Sequence, residues 1–341
     1  MVYNLEAMKK IAVAIDNSSI SPAVARAALD VAKVFGSEVI GVHGYNVRLH
    51  ERAFRIMEPI LPQKYQEEFL AKQREFHDEL MRSAMEKISL SYLEPYREMF
   101  EKAGIPYRCA VREGKNYSAV LGVATEESAD LIVVGAYGFN RVREGYLGST
   151  CLRVMRAFPG RILVVRDRIR FEKIVVALDG SEQSLGVLRT ALRFAESFDA
   201  ELHLLYVFDT NLHRFIFDKL KRFMFHVKGF SFKSKEQERL HDEFIDKGLR
   251  RVGELIIEKG MKVVQESGFG GRVVPAVIEG YLYDGVCHYM SQTGADLVFL
   301  GRTGRHYEEG MDIGSVAENV ARYAPGSVFL GESGGTSGWR I

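Results

Sequence analysis

The sequence predicts an α/β protein built from two tandem, doubly wound parallel sheets. Three observations predict it: an internal duplication, short β-branched runs that alternate with helical stretches, and no in-out alternation of polarity along those runs. The segment KKIAVAIDNS, which contains Asp16, returns as EKIVVALDGS around Asp179, 163 residues later. SADLIVVGAYG returns as GADLVFLGRTG, so Gly135 matches Gly301 at an offset of 166. Glu38 with Glu201, Gly114 with Gly280, and Gly148 with Gly314 fall on the same two offsets. The copies meet near Arg168, in the charged stretch RDRIRFE, and give expected domains 1–168 and 169–341.

In the first copy the strands are expected at Ile11–Ile15, Glu38–His43, Pro106–Val111, Leu131–Gly135 and Arg161–Val165. The second copy repeats them near Ile174–Leu178, Glu201–Val207, Arg272–Val277, Leu297–Gly301 and Ser327–Leu330. Continuous apolar runs of this kind predict sheets covered on both faces. Ser21 and Pro22 read as the cap and first turn of a helix running to Phe35, which Gly36 closes. Right-handed crossovers between such strands give an open, doubly wound sheet. After the second strand each copy carries a long charged stretch, about 48–103 and 210–267, that reads as mainly helical. These inserts are duplicated too: Leu49-His50 matches Leu212-His213, and His77-Asp78-Glu79 matches His241-Asp242-Glu243.

The chemistry sits after the fourth strand. Gly135-Ala-Tyr-Gly138, nine residues, then Gly148-Ser149-Thr150 is mirrored by Gly301-Arg-Thr-Gly304, nine residues, then Gly314-Ser315-Val316. Glycines let the backbone approach a phosphate without a Cβ in the way, and their N–H groups become donors. Ser149 and Ser315 open the next helix, so a hydroxyl and the first-turn N–H groups point at the same anion. Ligands of open α/β sheets lie beyond the carboxyl ends of the strands. If the first and fourth strands are neighbours, Asp16 and Asp179 each face their own glycine loop. A single G-x-x-G is as often a simple turn, but two copies at fixed spacing weigh against that.

At these residues the sequence resembles the universal stress protein family, specifically its tandem-domain members and its ATP-binding branch, marked by G-x2-G-x9-G-[ST]. The resemblance implies strand order 3-2-1-4-5, an adenine nucleotide alpha hydrolase-like fold, and ATP or AMP, with or without Mg²⁺, at the carboxyl edge. It implies adenine and ribose contacts at Ala14 and Asp16, and at Ala177 and Asp179, with a further base contact at Gly44 and Val207 after His43 and Tyr206. It implies ribose and phosphate contacts at Gly135, Gly138, Gly148, Ser149 and Thr150, and at Gly301, Gly304, Gly314, Ser315 and Val316. Gly44 departs from the branched apolar residue of the pattern, which removes part of the expected adenine wall. Arg302 and Arg305 add charge beside the second loop, either pairing with phosphates or lying on a solvated surface, and the first option makes the second site the tighter.

Composition narrows the rest. At 47% hydrophobic and 27% charged the chain reads as globular, and a net charge of +1 gives no global attraction to nucleic acid or to an anionic membrane. Cys109, Cys151 and Cys287 have no metal or redox spacing, which suits a reducing, cytoplasmic setting. The apolar run Ile11–Ile15 is too short for a signal core. The His-Asp-Glu triplets invite a metal reading, but successive helical residues point about 100° apart and do not converge on one ion. His50 and His213 read as packing or capping residues. Phe215–Lys233 mixes aromatics and lysines, as an amphipathic helix on the protein's own core or as a surface for a partner or membrane. No HExxH and no Walker lysine is present, so Asp16 and Asp179 are candidates to hold Mg²⁺ rather than to drive fast turnover.

The expectation is a non-enzymatic nucleotide-binding stress or signalling protein, an internal pseudo-dimer with room to form a homodimer. The alternatives are a slow ATP-hydrolysing or phosphoryl-transfer enzyme, and an interaction scaffold that recruits a protein partner through the inserts.

Overall fold

The computed structural model describes residues 8–47, 56, 68–138, 147–210, 235–304 and 313–332, and the chain divides into two compact units, Met1–Arg168 and Ile169–Ile341. The first unit runs β1 (Lys10–Ala14), α1 (Ser21–Phe35), β2 (Glu38–Tyr45), α2 (Glu68–Leu93), a 3-10 turn (Glu94–Tyr96), α3 (Arg97–Lys102), β3 (Tyr107–Glu113), α4 (Asn116–Glu126), β4 (Leu131–Gly135), α5 (Ser149–Ala157) and β5 (Arg161–Val165). Its strands are all parallel, in the order β3-β2-β1-β4-β5. The second unit runs β6 (Lys173–Ala177), α6 (Glu182–Phe198), β7 (Glu201–Phe208), α7 (Lys235–Ser267), β8 (Val273–Glu279), α8 (Leu282–Thr293), β9 (Leu297–Leu300), α9 (Ser315–Tyr323) and β10 (Ser327–Leu330). It repeats the order as β8-β7-β6-β9-β10. Each unit is therefore an α/β sheet of order 3-2-1-4-5, as the sequence resemblance implies.

The central strands form because Ile, Val and Leu runs are covered on both faces: Ile11, Val13, Leu131 to Val133, Ile174 to Val176 and Leu297 to Phe299 are all fully buried. Each such side chain contributes about 1.5–3 kcal/mol over its exposed state. Two buried faces fail at one edge of each sheet. In β3, Arg108, Arg112 and Glu113 are exposed, and in β8 Pro275 is exposed and no position is fully buried. Among the described residues these strands have a neighbour on one side only, and proline is tolerated there because an edge can omit a ladder donor.

Helix α1 ends as expected, with Gly36 left-handed at φ 68° and its N–H donating to the Ala32 carbonyl at 2.8 Å. The same position in the second unit is Asp199, at φ 52°. Its start corrects the expectation for Ser21, because the cap position is Ile20 and Ser21 already lies in the helix, its hydroxyl drawn to Asp16. The described parts of both inserts are helical. Gly253 and Gly260 lie on one face of α7 and let that helix approach the sheet: a Cβ at Gly253 would stand 2.5 Å from the Tyr206 ring and 2.9 Å from Val277, and one at Gly260 2.8 Å from Leu178. His50, His213, Arg305 and Phe215–Lys233 lie outside the described residues, as do the side chains of His77, Asp78, His241 and Asp242. Among the described residues no helix is long and apolar enough to cross a membrane.

Candidate functional site

In both units β1 and β6 end on an identical turn. The amides of Ile15 and Leu178 make the last rung, donating to the Val42 and Leu205 carbonyls at 3.0 and 2.9 Å. After Asp16 and Asp179 the chain must reverse, and Asn17 at φ 60° and Gly180 at φ 83° supply the left-handed step that asparagine and glycine tolerate best. The step swings the next amide back, so that Ser18 N–H donates to Asp16 Oδ1 at 3.1 Å and Ser181 N–H to Asp179 Oδ1 at 2.9 Å. Hydroxyls reinforce the turn: Ser18 at 2.5 Å and Ser21 at 3.1 Å on Asp16, and Ser181 at 2.6 Å on Asp179. Ser181 also accepts the Ser184 N–H at 3.1 Å and so caps α6. The other carboxylate oxygen faces the glycine loop, and a Cβ on Gly304 would stand 3.2 Å from Asp179 Oδ2. Gly138 sits closer still against Asp16 Oδ2.

The two ends of each glycine loop meet. Gly148 N–H donates to the Ala136 carbonyl at 2.7 Å, and Gly314 N–H to the Arg302 carbonyl at 2.9 Å, although residues 139–146 and 305–312 between them lie outside the described set. In this arrangement the Gly148 and Gly314 amides donate within the loop itself. The Thr303 amide is likewise committed, donating to Gln183 Oε1 at 3.1 Å. The amides of Gly138 and Gly304 lie beside the loop closure, 3.7 and 3.8 Å from where a Cβ on Gly148 or Gly314 would stand, and helices α5 and α9 start directly after it at Ser149 and Ser315.

Around each turn and loop lies an open cleft, about 440 Å³ in the first unit and 430 Å³ in the second. Ala14, Asp16, Gly44, Gly135, Gly138, Gly148, Ser149 and Thr150 all line the first. Ala177, Asp179, Val207, Gly301, Arg302, Gly304, Gly314, Ser315 and Val316 all line the second. Arg302 is only 1% exposed, so its charge is enclosed rather than offered on a surface, and the solvated alternative for it is overturned.

Sequence reasoning named His43 and Tyr206 only as the residues before Gly44 and Val207, and missed the rest of the far wall. In the first cleft that wall is His43, Tyr92, Asn116 and Val120; in the second it is Tyr206, Leu282 and Val286. His43 Nδ1 lies 2.6 Å from the Ile15 carbonyl, which can only accept, so Nδ1 carries the proton and Nε2 is the acceptor. Burial pushes the His43 pKa below its ordinary value, against the raising effects of the Ile15 carbonyl and Asp16. Tyr92, from the insert helix α2, meets the imidazole edge-on with ring centroids 5.2 Å apart. No motif pointed to Tyr92, whereas Asn116 and Leu282 could have been found as matched positions at the 166-residue offset.

Gly44 has a cause in packing. A Cβ there would stand 2.8 Å from the Ala119 Cβ and 2.9 Å from the Asn116 Cα, so α4 lies directly on the strand and fills the space the missing side chain leaves. The second unit exchanges the sizes: Val207 takes the strand position, and Gly285, which matches Ala119, takes the helix position, where a Cβ would meet Val207 Cγ1 at 2.7 Å. Among the described residues no three or more His, Cys, Asp or Glu side chains converge in a way that could hold a metal ion.

Similarity to known proteins agrees with this architecture. A universal stress protein of Methanocaldococcus jannaschii is 29% identical over 154 residues, covering 45% of this chain and 78% of its own. A universal stress protein structure from Archaeoglobus fulgidus superposes with a TM-score of 0.59 at 17% identity, covering 96% of this chain and 99% of that one. A functionally unknown protein from Pseudomonas aeruginosa gives 0.58 at 15% identity, with 96% and 93% covered. At these identities the two structures speak to fold alone. The sequence pattern of the universal stress protein family matches twice, over residues 8–166 and 170–330, and the chain therefore belongs to that family, with two of its domains in tandem.

Proposed function

We propose that each unit binds one adenine nucleotide, ATP or AMP, and that the protein is a nucleotide-responsive stress or signalling protein rather than a catalyst. The observation that carries this is the Gly148-to-Ala136 and Gly314-to-Arg302 hydrogen bonding, which folds both ends of G-x2-G-x9-G-S onto one point opposite an aspartate, in both units. Amides of Gly138 and Gly304 and the helix starts at Ser149 and Ser315 would hold the phosphates. Asp16 and Asp179, locked by serine donors, would face the sugar. Among the described lining residues Mg²⁺ would find one carboxylate per cleft, Asp16 or Asp179, with the phosphates and water as its other ligands. Arg302, enclosed in the lining of the second cleft, would add positive charge near the phosphates there and favour tighter binding in the second unit.

The reading is tested by denaturing the purified protein and chromatographing what it releases, followed by calorimetry with ATP. Adenine nucleotide in the supernatant, or a binding isotherm, is expected. Neither, at millimolar ATP, would refute it.

A further inference from the structure

The two clefts share their loop ends yet differ in their far walls, and the difference has a consistent chemical sense. In the first cleft the strand and helix positions present His43, Gly44 and Asn116; in the second the matched positions present Tyr206, Val207 and Leu282. The apolar residues Val120 and Val286 are common to both. With phosphates held at the glycine loop, a nucleotide would direct its base toward these residues at the ends of β2 and β7 and the starts of α4 and α8. A wall that offers hydrogen-bonding groups discriminates between bases, because a mismatched base leaves polar groups facing like partners. An apolar wall gains the same stacking and contact area from any purine.

The orientation of His43 makes the difference directional. With Nδ1–H fixed on the Ile15 carbonyl, Nε2 presents a lone pair. A lone pair accepts from the exocyclic 6-amino group of a purine and opposes a 6-oxo oxygen. The carboxamide of Asn116 can serve the ring nitrogen beside either substituent, as donor or acceptor. Tyr206, in the matched position of the second unit, has its ring against Gly253 of α7 and a hydroxyl that, as donor or acceptor, serves a 6-amino and a 6-oxo group alike, and Leu282, 44% exposed, has no polar side-chain atom to offer.

We propose that the two clefts read the base differently: the first selects a 6-amino purine through His43 and Asn116, and the second holds a purine by apolar contact with Val207, Leu282 and Val286 without distinguishing 6-amino from 6-oxo. This rests on the reading that both clefts bind purine nucleotides. One chain would then carry an adenine-selective site and a purine-general site, and its occupancy would report the balance between the two nucleotide classes.

The test uses calorimetry on the full chain with ATP and with inosine triphosphate, which differ at the 6-position in the sense that matters. ATP is expected to fill two sites per chain and inosine triphosphate one, with the rejected site at least tenfold weaker. The variant His43→Tyr with Asn116→Leu copies the second wall into the first and should raise the inosine triphosphate stoichiometry to two. The reciprocal Tyr206→His with Leu282→Asn lies in the other unit and should lower it to none while ATP still binds. Equal filling of both sites by the two nucleotides in the native chain would overturn the proposal and leave nucleotide binding intact. No binding of either nucleotide would overturn both.

Discussion

Rebuilding the second unit's strand-helix contact in the first unit probes how the cleft floor is held. Gly44→Val places a branched side chain under α4, with its Cβ 2.8 Å from the Ala119 Cβ, 2.9 Å from the Asn116 Cα and 3.3 Å from the Asn116 nitrogen. The last two are backbone atoms, so the helix itself must move, and overpacking of this kind costs about 3 kcal/mol. Ala119→Gly alone costs about 1 kcal/mol as a glycine inside a helix. Independent effects would sum to about 4 kcal/mol. The double variant recreates the Val207-Gly285 pair and removes the shortest of the three contacts while leaving the two backbone ones, so it should cost about 2–3 kcal/mol. A coupling of at least about 1 kcal/mol is therefore expected from a double-mutant cycle by urea denaturation. Strict additivity, or a Gly44→Val variant as stable as the native chain, would refute the packing account of why glycine stands at this position.

Asp199→Gly relieves the left-handed cap of α6, where the first unit already has Gly36, and should stabilise the protein by about 0.5–1 kcal/mol in the same denaturation assay. Burial lowers the pKa of both His43 and His203 below the ordinary 6.5, so the unfolded chain binds more protons just below that pH. Stability should thus be full above about pH 6.5 and fall as the pH drops toward the folded values, by up to about 1.4 kcal/mol per pH unit for each histidine; a flat melting temperature from pH 7 to 5 would contradict this. Ser181→Ala removes both the α6 cap and a hydroxyl bond to Asp179, and should cost about 1–2 kcal/mol and weaken ATP binding in the second cleft. Unchanged binding would separate the aspartate turn from the ligand.

Much of the architecture was legible because the chain states it twice. Gly135 and Gly301, read from one repeated string, end or directly follow the fourth strands, and Ser149 and Ser315 do open their helices. What escaped was set by neighbours rather than by pattern. Ser21 looked like a cap, but the nearby Asp16 carboxylate draws its hydroxyl inside the first turn. The edge strands β3 and β8 read as buried from their apolar runs, because a run of residues carries no information on whether a second strand lies alongside. Gly44 looked like the loss of a wall, and only the position of Ala119 shows that the space is filled from the helix side. Tyr92 reached the cleft from an insert with no motif at all. Left-handed positions also change residue type between copies, Asn17 for Gly180 and Gly36 for Asp199, so the backbone shape persists where the letters do not.

The proposed binding mode puts backbone amides of the glycine loop and of the following helix start on one phosphate in each unit. A crystal structure grown with millimolar ATP tests it most directly. Phosphate oxygens within hydrogen-bonding distance of the Gly138 and Ser149 amides, and of the Gly304 and Ser315 amides, are the predicted result. A nucleotide bound away from both pairs, or clefts that stay empty under saturating ATP, would contradict the account.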